Sequence, residues 1–411
     1  MVVAILIGAY VGGSTLSGAL TINPTDLDAF FLPSARTALS GHPLDVYGVR
    51  HDGLYPNANG PLSLIPLTAA AAVAQAMGLL GDLQLRRALI MGVFSIFALL
   101  MAREAVLAID RLRGTAVSGG ARIVFHGVFA ASPLVWQSVL LYGHIEQPLC
   151  LWLTLRGIRS LLDGRARRGG VLLGLAVLSR TVEALLLLPL VGGAVVRRRA
   201  GEAGGLAGFV LLTVSVGLAP FLLARGGDTL FSLVTFRAGL PVGGGSIWYM
   251  AGGTPIEWWA QRVDGIVVLV AVCAVTGIVL RRRPQSASAP QAAEIYGLLA
   301  ISAMCFPLFA KTVWPYYLLD VYVLFTIWAV GAWRRPLARG WYVPWLVPGL
   351  LTACGLTAEL GVTTSLDAVW RRLEGLAMFA VLGSLAAASV AACRLSTGRR
   401  SAAAGSLDAP V

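Results

Sequence analysis

Residues 263–283 read VDGIVVLVAVCAVTGIVLRRR, in which an uncharged apolar run over 265–280 is followed at once by three arginines. About 20 predominantly apolar residues are needed to cross the hydrocarbon core of a bilayer. Arginine and lysine concentrate in the cytoplasmic loops of membrane proteins. The stretch therefore predicts a transmembrane helix whose arginine-bearing end faces the cytoplasm.

The composition extends this prediction to the whole chain of 411 residues. Hydrophobic residues make up 57% and charged residues only 13%, whereas a soluble domain carries about 25% charged residues. The mean hydropathy is +0.77. The net charge of +12 does not indicate a nucleic-acid partner, because the arginines stand in short clusters between apolar runs. The five cysteines fall inside apolar runs, so neither a disulfide framework nor a thiolate metal site is expected.

Apolar runs of spanning length recur along the chain with no soluble domain between them. A longer run at 170–197 is interrupted by polar residues at 179–183 and predicts two short helices that meet at the break. We expect an all-α polytopic protein with about twelve crossings, built as one domain over 1–396 with a disordered cytoplasmic tail at 397–411. The other predicted spans lie near 3–20, 88–109, 121–141, 147–162, 204–224, 263–280, 293–310, 316–333, 341–360 and 374–393.

The arginines also decide how the apolar run at 61–79 is placed. If this run crossed the membrane, the arginines of the loops that follow would lie outside, against the positive-inside rule. Laid along the outer face as an interfacial helix, it leaves them in the cytoplasm. Residues 21–87 then form a long first extracytoplasmic loop, and 225–262 form a second one. The Arg-, Ala- and Gly-rich composition is typical of a GC-rich bacterial genome, so we expect a bacterial cytoplasmic (inner) membrane.

Two acids, Asp26 and Asp28, lie in the first outer loop directly after the first apolar segment. One interpretation is that they cap a short helix that begins near Leu27, since Asp and the neighbouring Thr25 are favoured N-cap residues. The other is that they present a catalytic carboxylate outside the membrane. The two interpretations are compatible, because a helix start fixes the position of a carboxylate.

Further ionisable residues lie at span ends and at the predicted break. His144 and Glu146 open the fourth span on the outer side, either as water-facing ends of a helix or as groups that bind a substrate. Arg180 and Glu183 stand at the break, inside the membrane by sequence position. Ionisable groups there are costly, so they pair with each other or line a polar cavity.

The only lysine of the sequence, Lys311, lies at the outer end of a span pair together with Trp314 and Tyr316. It either extends along the apolar surface to reach water or binds an anion. Tyr55 is a further candidate in the first outer loop. No metal site is assigned, because the remaining histidines have no ligand-like spacing: His42, His51 and His126.

In their order and sidedness, these motifs resemble the GT-C superfamily of glycosyltransferases. The resemblance is to polyprenyl- or dolichyl-phosphate-mannose-dependent mannosyltransferases, including the catalytic subunit of glycosylphosphatidylinositol mannosyltransferase I and bacterial glycolipid mannosyltransferases. It extends up to residue 330. It rests on Thr25-Asp26-Leu27-Asp28, Ala35-Arg36, Gly41, Pro43, Tyr47, Tyr55-Pro56, Gly143-His144-Ile145-Glu146, Ser179-Arg180-Thr181, Phe309-Ala310-Lys311 and Tyr316-Tyr317.

The resemblance implies an inverting transfer of a sugar, mannose first of all, from a polyprenyl-phosphate donor to a lipid-linked or glycan acceptor on the extracytoplasmic face. Asp26 matches the family's base, and Asp28 supports it or binds the acceptor. Arg180 and Lys311 are then candidates for holding the donor phosphate. The remaining candidates for substrate binding are Tyr55, His144, Glu146, Glu183, Trp314 and Tyr316.

The resemblance implies no certain cofactor and leaves a divalent metal open, because metal dependence varies across the superfamily. Relatives often carry a histidine in the outer loop near Trp314; this sequence lacks it, and Lys311 would take over its role. Transfer of another sugar, such as glucose or arabinose, also fits the resemblance.

A polytopic lipid or solute transporter or flippase without transferase activity is the alternative function. Such a protein would also carry intramembrane charges. It predicts functional charges near the middle of the bilayer and needs no long acid-bearing outer loop. The acids of this sequence lie towards the outer side, which favours the transferase.

Overall fold

A computed structural model describes residues 26–48, 57–196, 200–252, 254–281, 292–332, 343–363 and 368–405. It is 85% helical, which confirms an all-α protein. The helices are α1 (Leu32–Leu39), α2 (Pro61–Ala76), α3 (Leu83–Arg113), α4 (Gly119–Ala130), α5 (Pro133–Trp136), α6 (Glu146–Leu162), α7 (Ala166–Ser179), α8 (Ala184–Val196), α9 (Ala200–Leu230), α10 (Phe236–Ala238), α11 (Pro255–Leu280), α12 (Ala292–Phe309), α13 (Leu318–Ala332), α14 (Val343–Thr363) and α15 (Ala368–Gly405).

The chain divides into two compact units within the region that the sequence predicts as one domain. Unit 1 comprises the described residues of Met1–Ala184 and Gly204–Leu240. Unit 2 comprises those of Leu185–Ala203 and Pro241–Val411.

Six of the described helical segments are long and apolar enough to cross a membrane. A multi-pass membrane protein is therefore supported, while the remaining predicted crossings stay predictions and the span at 3–20 lies outside the described residues. The predicted span at 121–141 is divided among α4, α5 and a π-helical turn at Gln137–Leu141, because Ser132 and Pro133 start a new helix after α4. The six segments are Leu85–Arg113, Ala200–Ala238, Pro255–Leu280, Ala292–Phe309, Pro315–Ala332 and Val369–Val390.

The predicted break at 179–183 is confirmed. Helix α7 ends at Ser179, Arg180 is extended, and a 3₁₀ turn at Thr181–Glu183 leads into α8. The run at 61–79, which the sequence predicts to be interfacial, forms α2, a helix that begins with a proline at its first position and is shorter than a full span.

Two boundaries differ from the sequence prediction. The helix expected to end at 224 continues, with a kink at Arg225, through α9 and a π-helical turn to α10, so the loop before α11 is shorter than the predicted 225–262. Helix α15 continues to Gly405, into the predicted tail at 397–411. Alanine at 402–404 favours this continuation.

In unit 1, α6 packs against α3 and α7. Leu149, Leu153 and Ala176 form a buried cluster there, against which Phe97 and Trp152 pack. In unit 2, α13 is enclosed by its neighbours, since 94% of the 18-residue apolar stretch Pro315–Ala332 is buried. A two-residue parallel bridge pairs β1 (Gly243–Gly244) with β2 (Thr312–Val313).

Candidate active site

Two residues 118 positions apart in the sequence, Asp26 and His144, meet in unit 1. The distance between Asp26 Oδ2 and His144 Nε2 is 2.7 Å. The other ring nitrogen of His144, Nδ1, lies 2.7 Å from Glu146 Oε1. The imidazole therefore bridges two carboxylates.

The loop before α6 is hydrogen-bonded to, and packs closely against, the turn that carries Asp26. The backbone N–H of Asp26 donates to the carbonyl of Tyr142 over 3.0 Å. Gly143 has a φ of +74°, and a Cβ there would lie 2.6 Å from Leu27 Cβ, so only glycine allows this approach. The ring of Phe31 packs edge-on against His144, with centroids 5.7 Å apart. These contacts fix the imidazole against Asp26.

The three side chains differ in exposure. The side chain of Glu146 is 1% exposed, that of His144 13%, and that of Asp26 30%. Burial alone lowers the pKa of His144, but the charge of Glu146 and the hydrogen bonds to Asp26 and Glu146 raise it to about 10. His144 is therefore protonated at neutral pH and donates both N–H groups to the carboxylates. Asp26 is the member of the group with the most access to a substrate.

Burial tends to raise the pKa of Glu146, but the charges of His144 and Arg180 lower it overall. Arg180 Nη1 lies 3.8 Å from Glu183 Oε1, and both side chains are nearly fully buried. Thr154 donates from its hydroxyl to Glu183 Oε2 over 3.1 Å. Negatively and positively charged side chains thus alternate in a series that we call the charge chain: Asp26, His144, Glu146, Arg180 and Glu183.

Asp28 lies on the same turn as Asp26 but has a different environment. Its Oδ1 accepts from Arg86 Nη2 over 2.8 Å, and its Oδ2 accepts from Arg87 Nε over 2.7 Å. Arg87 is 1% exposed. With both oxygens bound to guanidinium groups, Asp28 joins the acid-bearing turn to the start of α3.

In unit 2, Lys311 is held by main-chain and side-chain oxygens of α11. Its Nζ donates to the carbonyl of Gln261 over 2.6 Å, and its backbone N–H donates to Asp264 Oδ2 over 3.1 Å. Burial lowers the pKa of Lys311, and Asp264 opposes this effect only in part. The ring of Tyr316 is buried against Tyr317, with centroids 4.6 Å apart.

The segment around Lys311, residues 309–314, is called the lysine loop. Its backbone carbonyls accept from residues 243–248: Gly243 N–H donates to Lys311 over 3.0 Å, Ser246 Oγ to Ala310 over 2.8 Å, and Trp248 Nε1 to Phe309 over 2.7 Å. Trp314 is partly buried and lies beside Gly243. The loop is therefore ordered by main-chain contacts.

The structure brings five of the predicted site residues together, as the charge chain in unit 1. Lys311, Trp314 and Tyr316 lie in unit 2, and Tyr55 lies outside the described residues. The sequence analysis missed Arg86 and Arg87. A signal was present, because an arginine pair on the predicted outer side departs from the positive-inside rule and calls for an anionic partner.

Within the described ranges, no group of three or more His, Cys, Asp and Glu side chains is arranged to hold a metal ion. No protein-family model and no curated protein matches the sequence.

Proposed function

We propose that this protein is an inverting glycosyltransferase that moves a sugar from a polyprenyl-phosphate donor to a lipid-linked or glycan acceptor. Mannose is the sugar that we propose first. The proposal places the reaction on the extracytoplasmic face of a bacterial inner membrane. Its main support is the partly exposed carboxylate of Asp26, which is held by a protonated histidine at the start of a helix. The motif resemblance to the GT-C superfamily names the donor class.

The chemistry needs a base for the acceptor and positive charge for the leaving group. In the proposed reaction, the acceptor hydroxyl oxygen attacks the anomeric carbon from the face opposite the phosphate. The bond between that carbon and the phosphate oxygen breaks, and the leaving polyprenyl phosphate takes the electron pair. The hydroxyl proton passes to the Asp26 oxygen that is not bonded to His144. Direct attack inverts the anomeric centre.

His144 suits the task of positioning this base. The bond from His144 to Oδ2 fixes the Asp26 carboxylate and leaves its other oxygen to accept the proton. Because Glu146 is buried and binds the opposite ring nitrogen, the imidazolium cannot turn away without leaving a carboxylate unpaired. Asp28 is bound to two arginines, so we propose that it stabilises the turn and takes no part in proton transfer.

Two buried cations are separate candidates for holding the donor phosphate, Arg180 in unit 1 and Lys311 in unit 2. Arg180 neighbours two acids of the charge chain, so a phosphate that binds it would compete with Glu183. Lys311 donates through its ammonium group to the carbonyl of Gln261 and lies near Asp264, so an incoming phosphate would compete with these contacts. No step of the proposed reaction requires a metal.

The direct test supplies the purified protein with polyprenyl-phosphate sugars and a panel of glycolipid acceptors. We expect a new glycosidic product whose anomeric configuration, determined by NMR, is opposite to that of the donor. The alternative transporter function gives a different result, namely movement of lipid or solute across reconstituted vesicles without any glycosidic product. A product with retained configuration would reject the single-displacement mechanism.

A further inference from the structure

A buried acid on α3, remote in sequence from the charge chain, is surrounded by guanidinium groups. The side chain of Glu104 is 3% exposed, and its Oε1 lies 3.2 Å from Arg159 Nη2 on α6. Arg156, Arg103 and Arg168 also act electrostatically on this carboxylate. We call these four arginines the guanidinium cluster.

The guanidinium cluster carries more positive charge than Glu104 can balance. One carboxylate and the paired Arg159 neutralise each other, and three guanidinium groups remain. Arg103 and Arg168 are exposed, and Arg156 is partly exposed. In the part of the chain that the structure describes, the guanidinium groups of these three residues form no salt bridge or hydrogen bond.

The cluster lies where three helices pass from apolar to charged sequence. The uncharged run 88–102 on α3 ends at Arg103, the run 147–155 on α6 ends at Arg156, and the run 169–179 on α7 begins after Arg168. With a rise of about 1.5 Å per residue, the α3 run is about 22 Å long. Arginines at such a boundary reach the phosphate layer of the bilayer.

An apolar surface adjoins the guanidinium groups. The guanidinium carbon of Arg156 lies 5.8 Å from the centroid of the Trp152 ring. The ring of Phe97 lies beside the Trp152 ring, with the two centroids 6.1 Å apart, and both rings are partly exposed. Positive charge next to an aromatic surface matches a ligand with an anionic head and an apolar tail.

We propose that the guanidinium cluster binds the phosphate of an anionic phospholipid, with an acyl chain along Trp152 and Phe97. Basic pockets between transmembrane helices bind anionic lipid head groups in this way. The proposal does not depend on the glycosyltransferase activity. The predicted topology assigns the site to the cytoplasmic leaflet, because the arginine-bearing ends of α3 and α6 face that side.

The test compares phosphatidylglycerol with phosphatidylcholine of the same acyl chains, added to delipidated protein in neutral detergent. Bound lipid is counted by native mass spectrometry. We expect tighter binding of phosphatidylglycerol, and a loss of about fivefold in its affinity for each arginine removed in Arg103→Gln/Arg156→Gln/Arg168→Gln. The control Arg262→Gln/Arg281→Gln/Arg372→Gln removes the same charge at exposed positions of unit 2 and should keep the preference.

Thermal unfolding without lipid checks that each variant is folded. If the glutamine triple variant is not, Arg103→Lys/Arg156→Lys/Arg168→Lys retains the charge and should retain most of the preference. Equal affinity for the two lipids in the parent protein would overturn the proposal. The same holds for equal loss in the control, or for displacement of phosphatidylglycerol by inorganic phosphate at a similar concentration.

Discussion

The His144 region of unit 1 and the lysine loop of unit 2 each hold a buried or nearly buried cation, but they do so differently. His144 lies between two carboxylates, and its charge state follows from theirs. Lys311 is held by a backbone carbonyl, in a loop ordered by main-chain hydrogen bonds. The stability of the first region should therefore depend most on charge and pH, and the stability of the second on backbone geometry.

The pH dependence of stability should show the largest effect, and it should come from unit 1. Since the folded-state pKa of His144, about 10, lies above its ordinary value of 6.5, the stabilisation is complete below pH 6.5. It falls as the pH rises towards 10 and is absent above that. It amounts to at most about 5 kcal/mol. Thermal unfolding in detergent should show a flatter pH profile for His144→Gln. Parallel profiles would contradict the assigned charge.

The inner end of the charge chain gives the next largest effect. Arg180→Met leaves Glu183 buried without its cation, and we expect a loss of about 3 kcal/mol in unfolding free energy. Arg180→Met/Glu183→Gln should recover stability, because neither charge then remains, while Thr154 can still bond to the amide. Transfer should stay low if Arg180 holds the donor phosphate. Full activity in the double variant would leave Lys311 as the remaining cationic candidate.

Backbone geometry should dominate in unit 2. Gly244 has a φ of +61°, and a Cβ there would lie 1.8 Å from the carbonyl oxygen of Val313. Gly244→Ala should therefore lower the unfolding free energy by about 2 kcal/mol. Gly277→Ala on α11, where a Cβ has open space, is the matched control and should stabilise the helix slightly. An equal response of the two variants in thermal unfolding would remove the distinction between the regions.

Loss of the lysine charge should have the smallest effect on stability. Lys311→Met keeps the apolar stem and removes one hydrogen bond to Gln261, so we expect a loss of about 1 kcal/mol. If the ammonium group binds the donor phosphate, the KM for the donor should rise while the protein stays folded. An unchanged KM for the donor would exclude Lys311 from the site.

The sequence predicted those features that depend on local pattern. Apolar runs located the six helical segments that are long and apolar enough to span a membrane, and the polar interruption located the break at Arg180. The helix start near Leu27 was also expected and is present as a π-helical turn at Leu27–Phe31, but the predicted capping is wrong for Asp26, whose side chain makes no capping hydrogen bond there. Local sequence cannot show which side chains meet, because the contact of Asp26 with His144 joins distant elements. The same applies to the pairing of Asp28 with Arg86 and to the division into two units.

The most direct test of the proposed mechanism is the rate of sugar transfer by Asp26→Asn. The amide keeps the size of the side chain and can still bond to His144, but it cannot accept a proton. We predict a loss of about a hundredfold or more in kcat, with donor binding and folding retained. Asp28→Asn is the matched control and should mainly lower stability, since its partners are Arg86 and Arg87. Transfer by Asp26→Asn at the parent rate would contradict the assignment of the base, and a greater loss of kcat for Asp28→Asn would assign the base to Asp28.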